Sequence, residues 1–380
     1  MPDTTSYTLN LNNSPADQDL LDALNLIEVE DDAALASAFR LRIPIGLDDE
    51  GDWTWVAEDA LKPLTPVSIG VRFGSEVNEL LISGYITSHQ IHFDKEVGAS
   101  FLEVIGMDAS TLMNLEEKVV AWNDMSDSDI VSQILSSYSF TPEVDDTQPS
   151  YAEDEVTIIQ RGTDLAFVRR LAKRNGFEFY LETDANSGET AGHFHKPRLS
   201  DQPQKDLALA FGDDSNVYAM DAHYDGLRPS IVDAAGISIG DKSDQSASIT
   251  SSDLDTLGAD AALELLDQQP KSLLARTSAF DNAELQTRAQ AAVDAASWAV
   301  SLSGELDITA YEGVLRSRRT VLVKGIGTRY SGTYYVTRVV HTLTPGGYKQ
   351  KFQLTRNALG LSGSESFGSS ADVSVSSAAS

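Results

Sequence analysis

The sequence predicts a mainly β protein with α+β insertions. Three observations carry this reading. Short runs of alternating apolar and polar residues, separated by turn residues, recur from Leu26 to Met107 and again from Leu207 to Thr355. Between them, Thr157–Leu181 (TIIQRGTDLAFVRRLAKRNGFEFYL) reads as strand, turn, helix, turn, strand. A second helical pattern runs from Asp281 to about Ser301. At 380 residues with 41% hydrophobic content, the chain can fill two to four domain cores.

The first 19 residues are polar and read as an arm. Leu26–Glu30 and Ala38–Ile45 read as strands, the second with Phe39, Leu41, Ile43 and Ile45 on one face. Pro44 marks an edge or a strand end, because it cannot donate to a ladder. Asp48-Asp49-Glu50-Gly51-Asp52 reads as a turn. It lacks the oxygen spacing and trailing bidentate Glu of an EF-hand calcium loop. Further strands follow at Val67–Phe73, Glu79–His89 and Ala99–Met107, a barrel or sandwich pattern. Ser126 is a good N-cap for a short helix faced by Ile130, Ile134 and Leu135, and Thr141–Glu155 reads as an acidic loop.

In the central unit, Thr163 or Asp164 can cap a helix whose apolar face is Leu165, Val168, Leu171 and Ala172. Arg169, Arg170, Lys173 and Arg174 fall in its later turns, where cations suit the negative end of the helix dipole, and read as a solvated face, with an anion site as the alternative. Gly176 supplies a left-handed stop. Phe177, Phe179 and Leu181 then alternate with polar residues as a half-buried strand. His193 and His195 would share one side of the next strand. No carboxylate nearby in sequence and no third His completes a metal site there, and none is expected.

Strands resume at Leu207–Phe211, Asn216–Tyr224 and Ser230–Ile239. Residues 240–280 are Ser- and Asp-rich, partly helical near Ala261–Leu266. Asp281 and Glu284 resemble a capping box for an Ala-rich helix whose face of Leu285, Ala289, Ala292 and Val293 reads as core packing. A hairpin, Thr333–Leu343 and Tyr348–Thr355, turns across Thr344-Pro345-Gly346-Gly347, with His341 as a strand histidine facing a neighbour. Residues 361–380 read as a flexible Ser- and Ala-rich tail.

Composition narrows the chemistry. There is no cysteine, which excludes disulfides, thiolate metal sites and cysteine nucleophiles. A net charge of −30, from 58 acidic and 28 basic residues, argues against nucleic-acid binding over a broad surface. No apolar run of about 18 residues predicts a membrane span, and the N-terminus has no basic start or apolar core of a secretory signal. Hydrolase elbows, phosphate loops and His-Glu-x-x-His are absent from the sequence. A glycosidase-like carboxylate pair stays open, since such pairs are set by space.

Three blocks carry a family resemblance. Asp164, Phe167, Val168, Arg170, Leu171, Ala172, Gly176, Phe177 and Tyr180 match a recurrent signature of the late control protein D family of contractile phage tails. That family includes the hub of T4-like baseplates and the hub part of VgrG in type VI secretion. GYITSHQIHFD (Gly84–Asp94) with FLEVIGMD (Phe101–Asp108) resembles its strand pair, and SGTYYVTRVVHTLTPGGYKQKFQLTRN (Ser331–Asn357) resembles its closing hairpin.

The resemblance covers about 22–360 and implies two tail-tube-like antiparallel β-barrels, at 22–112 and at 206–240 with 303–360. An inserted α/β domain at 113–205 and a mostly helical insertion at 241–302 complete it, with an N-terminal arm at 1–21 and a tail at 361–380. It implies a structural baseplate hub, not an enzyme, with no catalytic, cofactor-binding or metal residues. The expected assembly is a homotrimer joining a hexameric tail tube to the central spike, formed in the cytoplasm and built into a virion or an extracellular or intracellular contractile particle. Expected partners are tail tube proteins, other baseplate components and a separate OB-fold spike protein, because VgrG-type chains continue into a spike where this sequence stops. No stable nucleic-acid binding and no membrane insertion are expected, and the acidic excess reads first as solubility or a salty habitat, with a channel wall that repels acidic cargo as the functional alternative. The competing readings are a tail-tip cell-wall hydrolase and a tail-tube subunit. Two barrel-like regions in one chain argue against the latter.

Overall fold

A computed structural model describes residues 5–73, 78–147, 157–238, 242–275, 281–363 and 365. The chain opens with β1 (Thr5–Leu11), the two-residue β2 (Ser14–Pro15) and α1 (Gln18–Ala23). It then builds β3 (Leu26–Asp32), β4 (Ala38–Pro44), β5 (Pro66–Phe73), β6 (Glu79–His92) and β7 (Phe101–Asp108). These strands pair antiparallel in the order β3-β4-β7-β6-β5-β1-β2. Alternation sets the inner face: Ile27, Val29, Phe39, Leu41, Ile43, Val67, Ile69, Val71, Leu102 and Val104 form one buried cluster. Gly106 lies under the Phe39 ring, where a Cβ would come within 2.1 Å of it, so only glycine fits. The expected N-terminal arm is corrected. From Thr5 the chain is a strand in register with β5, from Thr5↔Phe73 to Leu11↔Val67. Its own alternation is the reason, since Leu9 and Leu11 reach the same core.

The middle of the chain contains β8 (Glu117–Trp122), α2 (Asp127–Ser137), β9 (Thr141–Val144), β10 (Ile158–Thr163), α3 (Asp164–Asn175), β11 (Glu178–Thr183) and β12 (Thr190–His195). The strand–helix–strand reading of the central motif holds. Thr163 caps α3 by accepting from the Ala166 amide at 3.3 Å, and Gly176 ends it at φ +67°. Ser126 caps α2 in a full capping box with Asp129. Phe167, Val168 and Leu171 of α3 meet Ile130, Ile134 and Leu135 of α2 over Phe194. The loop reading of Thr141–Glu155 needs correction at its start. Thr141–Val144 is β9, which pairs parallel with β12 and completes a three-stranded sheet, β11-β12-β9. Residues 148–156 lie outside the described residues.

The last part comprises β13 (Gln204–Ala208), β14 (Val217–Tyr224), β15 (Ile231–Ile237), β16 (Asp244–Ile249), β17 (Asp260–Ala261), β18 (Lys271–Ala275), α4 (Asn282–Ala296), β19 (Val300–Leu306), α5 (Ile308–Tyr311), β20 (Thr320–Lys324), β21 (Gly332–Thr344), β22 (Gly347–Arg356) and β23 (Ala358–Leu359). The expectation of a mostly helical insertion over 241–302 is corrected. Its only long helix among the described residues is α4, which packs on a small sheet, β16-β15-β18. Leu285, Ala289 and Val293 of α4 make a narrow apolar stripe, and that stripe is covered by Val232, Ala234 and Ala247 of the sheet. Strand β15 therefore leaves the second β region, where it was expected, while β19 joins the main sheet from Val300 onward. Near Ala261–Leu266 there is only a short 3-10 turn, Ala262–Glu264. Of the expected flexible tail, 364 and 366–380 lie outside the described residues.

The two β regions do not close into separate barrels. Strands β14-β19-β22-β21 continue directly into β3, through a register running from Arg338↔Asp32 to Leu343↔Ile27. The cause is length. Strand β21 has 13 residues and β20 only 5, so β20 covers Gly332–Tyr335 and leaves the rest of that edge open for β3. The outcome is one open 13-stranded sheet, with β14 at one end of its main path and β1 with β2 at the other.

Candidate functional site

The place where the first β region, the inserted α/β unit and the second β region meet is built around Arg318. This residue sits in the turn before β20 with a left-handed backbone, φ +61°. Its Nη1 donates to Asp31 Oδ1 at 2.8 Å and to Ser317 Oγ at 3.0 Å. Its Nη2 donates to the carbonyls of Asp32 and Leu35. Its guanidinium lies 4.5 Å from the ring centre of Tyr180, a cation–π contact across to β11. The Ser317 amide donates to the other Asp31 oxygen at 2.8 Å.

Electrostatics follow from burial and partners. Burial raises the Asp31 carboxyl, but Arg318 and the Ser317 donors outweigh it and hold the pKa down to about 2. Arg318 stays charged, since Asp31 and Glu178 more than offset its burial. Asp108 accepts from the amides of Ser37 and Ser110, yet its burial dominates and raises its pKa. Glu178 is raised to about 7 by burial, with its Tyr335 hydrogen bond of 2.6 Å and Arg318 offsetting only part. A cavity of about 570 Å³ opens beside this node. Its walls are tied by further ion pairs, Arg316 to Glu79 at 3.2 Å and Arg319 to Glu182 at 3.0 Å. Each cation here is matched by an acid of another element, so the arrangement locks three units together.

The residues singled out in the sequence fall as follows. Of the α3 cations, Arg174 forms a bidentate pair with Asp127 of α2, and its Nη1 is 3.7 Å from Glu284 of α4. Arg170 lies 5.0 Å from the Phe167 ring centre and donates to the Ile159 carbonyl. Arg169 is half-buried with its Nε unpartnered. The solvated-face reading therefore fits only part of the cluster. His193 and His195 do share one side of β12, both packed on Tyr180. The fold also brings two carboxylates to His193 that sequence spacing did not show: Glu143 at 3.2 Å from Nδ1 and Glu182 at 3.7 Å from Nε2. Burial lowers both imidazoles all the same. Among the described residues no group of three or more His, Asp or Glu is arranged to hold a metal ion. The acidic turn is closed on itself, with Asp48 Oδ1 accepting from the amides of Glu50 and Asp52. His341 is fully buried and hydrogen-bonds Tyr348 at 2.7 Å, the neighbour-facing strand histidine that was expected. Asp281 caps α4 through the Glu284 amide at 2.8 Å.

The Arg318 node itself was missed. Arg318 and Asp31 are 287 positions apart, and no local pattern links them.

No helix among the described residues is long and apolar enough to cross a membrane. The family model described as Alg8 N-terminal domain matches residues 7–345, and the chain belongs to that family. This is not the late control protein D family that its motifs resemble. No curated protein matches the sequence. Solved structures share the fold. The 43 kDa tail protein of prophage MuSo2 from Shewanella oneidensis is 14% identical, with a TM-score of 0.65, over 94% of this chain and 100% of that one. The tail protein from Neisseria meningitidis MC58 is 14% identical, with a TM-score of 0.64, over 93% and 97%. The E. coli c3393 protein, a component of the type VI secretion system with structural similarity to T4 bacteriophage tail proteins gp27 and gp5, is 13% identical. Its TM-score is 0.54, over 92% of this chain and 76% of that one.

Proposed function

We propose that this member of the Alg8 N-terminal domain family is a structural hub of a contractile phage tail or phage-tail-like injection system. In this reading it is a trimeric adaptor between the hexameric tail tube and the central spike, related to the late control protein D proteins, and does no catalysis. The observation that carries the reading is the open sheet. One chain joins two antiparallel β regions side by side through β3 and β21 and, among the described residues, leaves an unpaired edge at each end, at β14 and at β1 with β2. Exposed edges invite pairing with another chain, and a head-to-tail contact that closes gives a ring without free edges. Three copies would present six β regions, matching six-fold tube to three-fold spike. The shared fold of the phage tail and type VI proteins supports the same assignment.

The test is stoichiometry by mass photometry, alone and with tube and spike components. A trimer is expected in the complex. A stable monomer or dimer there would reject the adaptor role. Release of labelled cell-wall fragments by the purified chain would favour the hydrolase instead.

A further inference from the structure

One end of the first β region carries an exposed apolar cluster that the hub reading does not use. Strand ends fix its place. Pro44 pairs with Phe101 and Phe101 with His92, so the hairpin after β4 and the turn after β6 leave the sheet together. The Ile45 amide ties them by donating to the Ser100 carbonyl at 3.1 Å. In the hairpin, Leu47 bridges Trp53 as an antiparallel pair. In the turn, Phe93 brings its ring centre to 4.9 Å from that of Trp53. Trp53 is half-buried against the core of the first region, whereas Leu47 is 63% exposed and Phe93 54%. Val97, further along the same turn, is fully exposed. Single exposed apolar residues are ordinary, but adjoining ones with aromatic rings mark an interaction surface. The cluster is held ready by hydrogen bonds of its own: the Thr54 amide to the Gly46 carbonyl, the Asp48 amide to the Asp52 carbonyl, and the Asp94 amide to Ser100 Oγ, each at 2.9 Å. Little ordering is left to do on binding.

Charge decides what can sit there. Four of the five residues between Leu47 and Trp53 are acids: Asp48, Asp49, Glu50 and Asp52. The turn of Phe93 adds Asp94 and Glu96, with Lys95 as its one cation. The two turns thus hold six acids to one base, where the whole chain has 58 to 28. The hydrogen bonds that Asp48 and Asp94 accept come from neutral amides and do not cancel their charge. Arg42, over the neighbouring Phe101 ring, is already matched by Glu103 at 2.9 Å. A frame of this sign repels a second copy of this chain, an anionic membrane and a nucleic acid alike, and attracts cations. The rings strengthen that choice, because a guanidinium or ammonium group sits favourably over an indole or phenyl face.

We propose that this end of the first β region docks a basic segment of a partner protein. An apolar side chain of that segment is seated among Leu47, Trp53 and Phe93, and its Arg or Lys residues lie against the acids of the two turns. The proposal does not depend on the hub reading, and the assay below reads binding alone.

The probe is a short fluorescein-labelled peptide with one Leu and one Phe flanked by Arg, added to the full chain and followed by fluorescence anisotropy. Physiological salt is used, where the screening length of about 8 Å removes long-range attraction by the rest of the acidic surface. Saturable binding is expected, with none by the counterpart in which Glu replaces each Arg. Leu47→Ser with Phe93→Ser, both on exposed side chains, should weaken binding at least about tenfold, and Asp49→Lys with Glu96→Lys should do the same. Asp213→Lys with Asp214→Lys, the same charge change on the exposed turn before β14, should leave the affinity within about twofold. Far-UV circular dichroism confirms that each variant is folded. Absence of saturable binding, or an unchanged affinity in the Leu47/Phe93 variant, would overturn the proposal. So would equal binding of a peptide with Ser in place of its Leu and Phe, or equal losses from the local and the remote charge reversals, since either would reduce the contact to unspecific attraction by an acidic chain.

Discussion

Glu178 shows how far single residues here depend on contacts that the sequence does not display. In the sequence it is a polar position in an alternating strand. In the fold it is enclosed beside Tyr335 and Arg318, and burial lifts its pKa from 4.5 to about 7. The native state therefore holds this proton more tightly than the unfolded chain. Its stabilising contribution is complete below about pH 4.5 and is lost as pH rises through about 7. Asp31 works in the opposite direction, since its lowered pKa contributes stability at higher pH that is lost as pH falls toward about 2. The histidines add to that acid limb, because burial lowers His193 and takes His341 down to about 3. A wild-type pH profile thus mixes both signs, and a difference experiment is needed. Relative to Glu178→Gln, the wild type should gain roughly 1–3 kcal/mol of stability between pH 7.5 and pH 5, read from urea midpoints. A difference that stays flat across that range would show that Glu178 is not held protonated.

At the scale of elements, legibility followed sequence distance. The strand–helix–strand of Ile158–Thr183, the caps at Ser126, Thr163 and Asp281, and the closing hairpin were readable because each rests on residues a few positions apart. Strand β9 was hidden, since TPEV is polar and joins its sheet through backbone bonds to β12. Strand β16 was hidden for a related reason, since QSAS carries small residues whose fit depends on α4, and β18 joins its sheet through a parallel register with β15, from Lys271↔Ile231 to Ala275↔Ala235. What ties the elements together is the Arg318 node, where the end of β3, the strand β11 and the turn before β20 share one guanidinium. Arg318→Met should leave Asp31 enclosed without its counter-charge and cost about 3–5 kcal/mol, because losing one partner of a buried pair strands the other. Adding Asp31→Asn should recover part of that loss. Thermal unfolding of both variants checks this, and additive losses in the double variant would mean that the pair is not the source of the coupling.

At the scale of the whole molecule, mainly β architecture with α+β insertions was legible, while the continuity of the sheet was not. Alternation identifies strands but not neighbours, and the β3–β21 pairing joins residues more than 300 positions apart, such as Arg338 with Glu30 in a 2.6 Å ion pair. That continuity gives the assembly its most direct test. If copies join through the edges left open, β14 of one must approach β1 of the next, and the natural absence of cysteine makes cross-linking clean. Ser6 on β1 and Tyr218 on β14 are both exposed, with Tyr218 at 64%. A chain carrying Ser6→Cys and Tyr218→Cys should, with thiol cross-linkers of graded length, form covalent species that end at three copies. A closed ring offers no fourth edge. Each single variant alone should stay largely uncross-linked, since a head-to-tail contact brings unlike edges together. A ladder running past three would mean an open filament, and efficient cross-linking by either single variant would mean a two-fold contact. Either result would remove the geometric basis for a trimeric adaptor, even though the fold of the subunit would be unchanged.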